Sequence, residues 1–86
     1  MNTQTIQIFV TLTKTKNISQ AARVLFMAQS TVSTQLKSLE DELGFRLFER
    51  QKGNSPLVLT EQGQYFLSNA TKMLELYHDS MILKEA

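Results

Sequence analysis

Only three residues, Phe26-Met27-Ala28, separate two stretches whose apolar positions recur with a helical period. Before them Ala21, Ala22 and Leu25 share a face, and after them Val32, Leu36, Leu39 and Leu43 recur at spacings of four, three and four. Such spacing places apolar side chains on one side of a helix of 3.6 residues per turn. The apolar connection has no room for a real loop, so the pair has the layout of a helix-turn-helix. Ser19 is a candidate N-cap for the first of the two, because its hydroxyl can accept an orphan amide of the first turn. The small alanines behind it let another helix approach closely. The second helix is predicted over about Gln29 to Leu43, with Gly44 directly after it as a left-handed C-cap.

The rest of the chain surrounds this pair. Ile6, Phe9, Val10 and Thr13 form a narrow stripe for a first helix from about Thr3 to Lys14, broken by Lys16-Asn17-Ile18-Ser19. Beyond Gly44, the β-prone pieces Leu47-Phe48 and Leu57-Val58-Leu59 flank the turn-rich Gln51-Lys52-Gly53-Asn54-Ser55-Pro56, which reads as a hairpin. Thr60 then caps a long last helix with a broad stripe of Phe66, Leu67, Ala70, Met73, Leu74, Tyr77 and Met81. That stripe, with Leu76, Ile82 and Leu83, exceeds what three short helices can cover. A partner helix is expected, most economically a second copy in a symmetric dimer with Phe66, Ala70, Met73, Leu74, Tyr77 and Met81 at the interface. The pattern reaches Ala86 with no Gly, Asn or Pro to stop it, which points to a piece of a longer protein. The expected fold is mainly α: a winged helix-turn-helix over residues 1–60, made of three short helices and a β-hairpin wing, then a linker and dimerisation helix over 61–86.

Composition narrows the function classes. Eighty-six residues support one small domain with no deep enclosed cavity. The chain has no cysteine, which excludes disulfides, thiolate zinc sites and cysteine nucleophiles. The longest apolar run, Val24 to Ala28, is five residues, and no secretory signal opens the chain, so a cytoplasmic address is the expectation. The single histidine, His78, lies on the last helix with no triad partner in the motif. Glu40, Asp41 and Glu42 point in different directions on a helix and read as a solvated helix end rather than a metal site. The methionines suit core and interface gaps. With no phosphate-binding glycine loop either, the reading is a non-enzyme without metal or cofactor in this domain.

The net charge of +1 divides unevenly, +3 over residues 1–60 and −2 over residues 61–86. On a helical wheel, the face opposite Val32, Leu36, Leu39 and Leu43 holds Ser30, Thr34 and Lys37, flanked by Thr31, Ser33 and Ser38. Short hydrogen-bonding side chains plus one cation suit base edges and phosphates in a major groove. The carboxylates at the far end would repel phosphate, so the N-terminal half of this helix is the half expected in the groove. Arg46, Arg50 and Lys52 gather around the Gly53-Asn54 tip, where they would reach a DNA backbone or minor groove. The competing reading makes the same surfaces a solvated helix face and a charged sheet edge. Two functions follow: sequence-specific binding of double-stranded DNA by a homodimer, or a winged-helix protein-interaction module that does not bind DNA.

The runs Ser19-Gln20-Ala21-Ala22-Arg23-Val24-Leu25, Gln29-Ser30-Thr31-Val32-Ser33-Thr34-Gln35-Leu36 and Leu39-Glu40-Asp41-Glu42-Leu43-Gly44 resemble the DNA-binding region of LysR-type transcriptional regulators. Leu47-Phe48-Glu49-Arg50 and Leu59-Thr60-Glu61-Gln62-Gly63 extend the likeness over essentially the whole chain. The resemblance implies a winged helix-turn-helix and a linker helix that pairs antiparallel in a homodimer reading an interrupted palindrome. It also implies a C-terminal domain, absent from this chain, that senses a small-molecule effector. By position, recognition contacts fall on Gln29, Ser30, Thr31, Ser33 and Thr34, and backbone contacts on Lys37 and the wing residues Arg50, Lys52, Gly53 and Asn54. Two departures stand out. Ala28 replaces a usual serine, removing an N-cap worth about 1 kcal/mol. Thr34 replaces a frequent arginine, removing a strong guanine or phosphate donor and predicting a different base preference or weaker binding per half-site.

Overall fold

The computed structural model describes residues 1–85, which form four helices: α1 (Thr3–Thr15), α2 (Ile18–Leu25), α3 (Gln29–Leu43) and α4 (Glu61–Glu85). Local signals set most of their ends. At the start of α1, Thr5 N–H donates to Asn2 Oδ1 (2.9 Å) and Asn2 N–H donates to Thr5 Oγ1 (3.2 Å), a reciprocal capping box. Gly44 closes α3 in the left-handed region at φ 83°, its N–H donating to Glu40 O at 2.8 Å, as its position predicted. Thr60 caps α4, its Oγ1 accepting from Gly63 N–H at 2.9 Å.

One terminal expectation needs correction. Asn17, not Ser19, is the N-cap of α2: its Oδ1 accepts from Gln20 N–H at 2.9 Å, and Ser19 lies inside the helix. A single left-handed residue, Lys16 at φ 57°, suffices to end α1, so α2 starts earlier than the Ser19 signal implied. Phe26 opens the three-residue connection to α3. It sits at φ 56° as the left-handed C-cap of α2 and is 96% exposed.

The core is centred on Phe9, whose ring lies 5.7 Å from that of Phe48 and 5.4 Å from that of Phe66, both in tilted contact. Ile6, Ile8 and Leu12 of α1, Ala21 and Ala22 of α2, Val32 and Leu39 of α3, and Leu47, Leu57 and Ala70 complete it. The α1 stripe is thus wider than Ile6 and Phe9 suggested, with Val10 and Thr13 half-buried at its margin. Helices α1, α2 and α3 pack against one another, with Ala21 and Ala22 the buried face of α2, while α4 packs against α1 alone among the helices. The molecule is accordingly elongated, 47 × 26 × 20 Å along its principal axes, with α4 (about 38 Å long at 1.5 Å per residue) running past the core.

The expected β-hairpin is reduced, among the described residues, to one antiparallel bridge between Phe48 and Leu59. It is flanked by Glu49 N–H donating to Val58 O (2.7 Å) and Thr60 N–H donating to Leu47 O (3.0 Å). In this register Pro56 stands opposite Gln51 and has no N–H to donate to it, so the next paired bond of the ladder is lost. Leu57 N–H faces away from the partner strand and donates to Lys16 O at 2.9 Å, tying the strand to the α1–α2 junction. The tip folds as a turn in which Gly53 takes φ 59° and Ser55 Oγ donates to Lys52 O at 2.7 Å.

Candidate nucleic-acid interface

Leu47 joins the elements that would present such an interface. Its side chain is fully buried, its N–H donates to Glu40 Oε2 of α3 at 2.7 Å, and its carbonyl accepts from Thr60 N–H at 3.0 Å. Gly63 of α4 lies so close that a Cβ there would stand 2.1 Å from Leu47 O. The end of α3, the bridge and the start of α4 therefore meet at one backbone unit. Glu40 was expected to be solvated; it is instead half-buried as the acceptor for the Leu47 amide. Its neighbours diverge from it as the helical spacing requires. Asp41 pairs with Lys37 at 3.5 Å, and Glu42 meets the Met1 amino group.

With Val32 and Leu39 buried, α3 turns Gln29, Ser30, Thr31, Ser33, Thr34 and Lys37 to solvent, every one of them exposed. Ser30, Thr31 and Thr34 share a shallow open groove of about 360 Å3 with Ser38 and with Gln35, a side chain the helical wheel did not single out. Gln35 is half-buried, and its Nε2 approaches Gln4 Oε1 at 3.4 Å. Gln29 at the head of the helix donates from Nε2 to Ser19 Oγ of α2 at 3.1 Å. Ala28 supplies no side-chain cap; its carbonyl accepts from Thr31 N–H and Val32 N–H at 3.1 Å each. Lys37 is exposed, and its pair with Asp41 is an exposed helix-surface contact worth only about 0.3–0.5 kcal/mol, readily exchanged for another anion.

Arg50, Lys52, Gly53 and Asn54 are all exposed on the loop between the bridged strands. Among the described residues neither Arg50 nor Lys52 forms an ion pair. They line a small open hollow of about 180 Å3 with Glu49, Gln51, Ser55, Pro56 and Val58, separate from the α3 groove. Arg46 does not join them; its Nε donates back to Phe48 O at 3.1 Å.

The α4 stripe serves two purposes that periodicity could not separate. Phe66 and Ala70 are buried in the chain's own core, Phe66 against Phe9, so neither is available to a partner and both leave the candidate dimer set. Leu74 is half-buried against that core, and Met81 is half-buried. Met73 and Tyr77 are exposed, as are Leu76, Ile82 and Leu83. Tyr65, near the start of the helix, is 81% exposed between open hollows on either side of it.

Two short helices joined by a three-residue turn, with a polar outer face on the second, define a helix-turn-helix protein. Residues 3–64 match the model of the bacterial regulatory helix-turn-helix proteins of the lysR family, and the chain belongs to that family. It is 40% identical over 82 residues to the HTH-type transcriptional regulator BsdA of Bacillus subtilis (strain 168), covering 95% of this chain and 28% of that protein. To the regulator CitR of the same organism it is 38% identical over 81 residues, 94% of this chain and 27% of the relative. The chain thus spans little more than a quarter of the length of these relatives. The fold superposes on a CbnR DBD–DNA complex with TM-score 0.89 and 29% identity, covering 99% of this chain and 95% of that one. It also superposes on full-length OxyR from Pseudomonas aeruginosa with TM-score 0.92 and 34% identity, over 99% and 28% of the two chains. Among the described residues no helix is long and apolar enough to cross a membrane.

Proposed function

We propose that the chain is the DNA-binding part of a transcriptional regulator, and that it acts as a homodimer on an interrupted palindrome in double-stranded DNA. The observation that carries this is the solvent side of α3: Ser30 and Thr34 lie opposite buried Val32 and Leu39, Thr31 and Ser33 flank them, and Gln29 is exposed at the head of the helix. Such side chains hydrogen-bond base edges in a major groove, and a second copy related by a twofold axis would read the second half-site. Support comes from the fold's likeness to a CbnR DBD–DNA complex and to a BenM DBD bound to benA site 1 DNA, the latter at TM-score 0.89 and 30% identity.

In this reading residues 1–60 bind DNA and residues 61–86 link and dimerise. Lys37, Arg50 and Lys52 supply salt-sensitive attraction to phosphates, and Gly53 and Asn54 let the wing tip approach the backbone. Discrimination among sequences falls to α3. The exposed stripe of Met73, Leu76, Tyr77 and Leu83 faces the second copy. The role is binding rather than catalysis, in the cytoplasm, with no cofactor in this part. A small-molecule effector would act on the longer protein that the relatives' length suggests. Fluorescence anisotropy of a random duplex and of operator DNA, titrated across salt, tests the proposal. Tighter operator binding, with log affinity falling linearly against log salt, is expected. No binding at low salt by the folded chain would overturn it in favour of a protein-interaction module.

A further inference from the structure

We infer that Asp41 is a built-in counter-ion that curbs the sequence-independent attraction of α3 for DNA, an inference that rests on the DNA-binding reading above. Val32 and Leu39 are buried, and the row of α3 opposite them, at about 100° per residue, is Ser30, Thr34, Lys37 and Asp41, all exposed. Asp41 therefore stands on the face turned to DNA, about 10 Å along the helix axis from Thr34. Its two acidic neighbours do not share that position. Glu40 is half-buried as the acceptor of the Leu47 N–H, and Glu42 meets the Met1 amino group. Asp41 Oδ1 instead lies 3.5 Å from Lys37 Nζ, with both side chains open to solvent. Of the three cations that would meet phosphates, Lys37, Arg50 and Lys52, only Lys37 has a carboxylate paired with it among the described residues.

The fold does not need this carboxylate. A negative charge near the C-terminus of a helix opposes the helix dipole, and a pair with the cation N-terminal to the anion is the weaker of the two orders. Arg46 lines the same open hollow of about 390 Å3, yet among the described residues it forms no ion pair with Asp41, and its Nε donates to Phe48 O. What Asp41 changes is the field that DNA meets. A phosphate drawn to Lys37 displaces Asp41, but the carboxylate stays on the same row one helical turn away, inside the Debye length of about 8 Å at physiological salt. The two charges largely cancel, so Lys37 gives a phosphate its hydrogen bonds with little net attraction. Such attraction acts alike on every duplex, whereas Ser30, Thr31, Ser33 and Thr34 act through the bases. Limiting it keeps the domain from being held on unmatched DNA. Asp41 thereby sets how much of the binding is sequence-independent, without touching a base.

Fluorescence anisotropy of a random-sequence duplex, titrated across salt, tests this with the 86-residue chain and the variants Asp41→Asn, Asp41→Glu, Glu75→Gln and Lys37→Ala, the last also combined with Asp41→Asn. Asp41→Asn is expected to tighten binding by roughly two- to fivefold at physiological salt. It should also steepen the fall of log affinity against log salt by about 0.9, the increment of one phosphate contact. Asp41→Glu keeps the charge one turn from Lys37 and behaves as the parent. Glu75→Gln removes an equal charge from an exposed position on α4 and gains distinctly less. Without Lys37, Asp41→Asn also gains distinctly less, because only the repulsion between carboxylate and phosphate is left to remove. Helical circular dichroism is unchanged throughout. A gain matched by Glu75→Gln is an effect of overall charge and overturns the inference. An equal gain with and without Lys37 overturns the counter-ion role. A parent that binds the duplex with an affinity and salt slope indifferent to Asp41→Asn sinks this inference alone, whereas a folded parent that binds no duplex at low salt sinks the DNA-binding reading with it.

Discussion

Replacing Gly63 by alanine probes the joint at Leu47 with a single methyl group. A Cβ at this position would lie 2.1 Å from Leu47 O and 3.0 Å from Leu47 C, with Thr60 Oγ1 at 3.1 Å. The first contact is with backbone, so no side-chain rotation relieves it. Either α4 or the bridged strand must move by about 1 Å to restore a contact of tightly packed atoms. That movement strains the Thr60 N–H bond to Leu47 O, the Leu47 N–H bond to Glu40 and the Thr60 cap on Gly63 N–H. Overpacking of this kind costs about 1–3 kcal/mol, and weakening a buried hydrogen bond about 1 kcal/mol more. The intrinsic helical advantage of alanine over glycine, at most about 1 kcal/mol, offsets part of this. A net loss of about 2–3 kcal/mol is expected, a large share of the stability of a domain of this size. Urea denaturation followed by far-ultraviolet circular dichroism measures it. A Gly63→Ala variant as stable as the parent, or more stable by its helix propensity, would refute the close approach of Leu47 and the joint built on it.

The remaining predictions use the same assay or sedimentation. Glu40→Ala leaves the Leu47 amide without its acceptor and should cost about 1–3 kcal/mol, while Glu40→Gln, which keeps a carbonyl in reach, should cost distinctly less; equal losses would show that the bond is not the cause. Phe26→Asn should raise stability by about 0.5–1 kcal/mol, since a 96% exposed aromatic at φ 56° contributes strain without packing; a destabilised variant would mean the ring is covered in solution. Leu76→Asp with Leu83→Asp should convert dimers to monomers in analytical ultracentrifugation with less than about 0.5 kcal/mol change in monomer stability, because both side chains are exposed. A parent already monomeric at tens of micromolar would refute that assignment of the stripe.

The elements whose signals are local were legible from sequence alone. The bounds of α3, the Gly44 C-cap and the Thr60 cap follow from periodicity and from side chains acting within a few residues of themselves. The polar face of α3 was legible for the same reason, since the wheel that buries Val32 and Leu39 also exposes Ser30, Thr34 and Lys37. Features that depend on partners distant in the chain were not. Glu40 looked like one of three solvated carboxylates until Leu47, seven residues on, brought an amide to it. The Leu57 amide donates to Lys16 O at the far α1–α2 junction, a tie that no local pattern signals. A continuous α4 stripe could not say that Phe66 and Ala70 belong to the core around Phe9 while Met73, Leu76 and Tyr77 remain outside it. Periodicity reports which residues share a face, because helix geometry repeats within a few residues. What covers that face is settled by long-range packing, which only the tertiary structure contains.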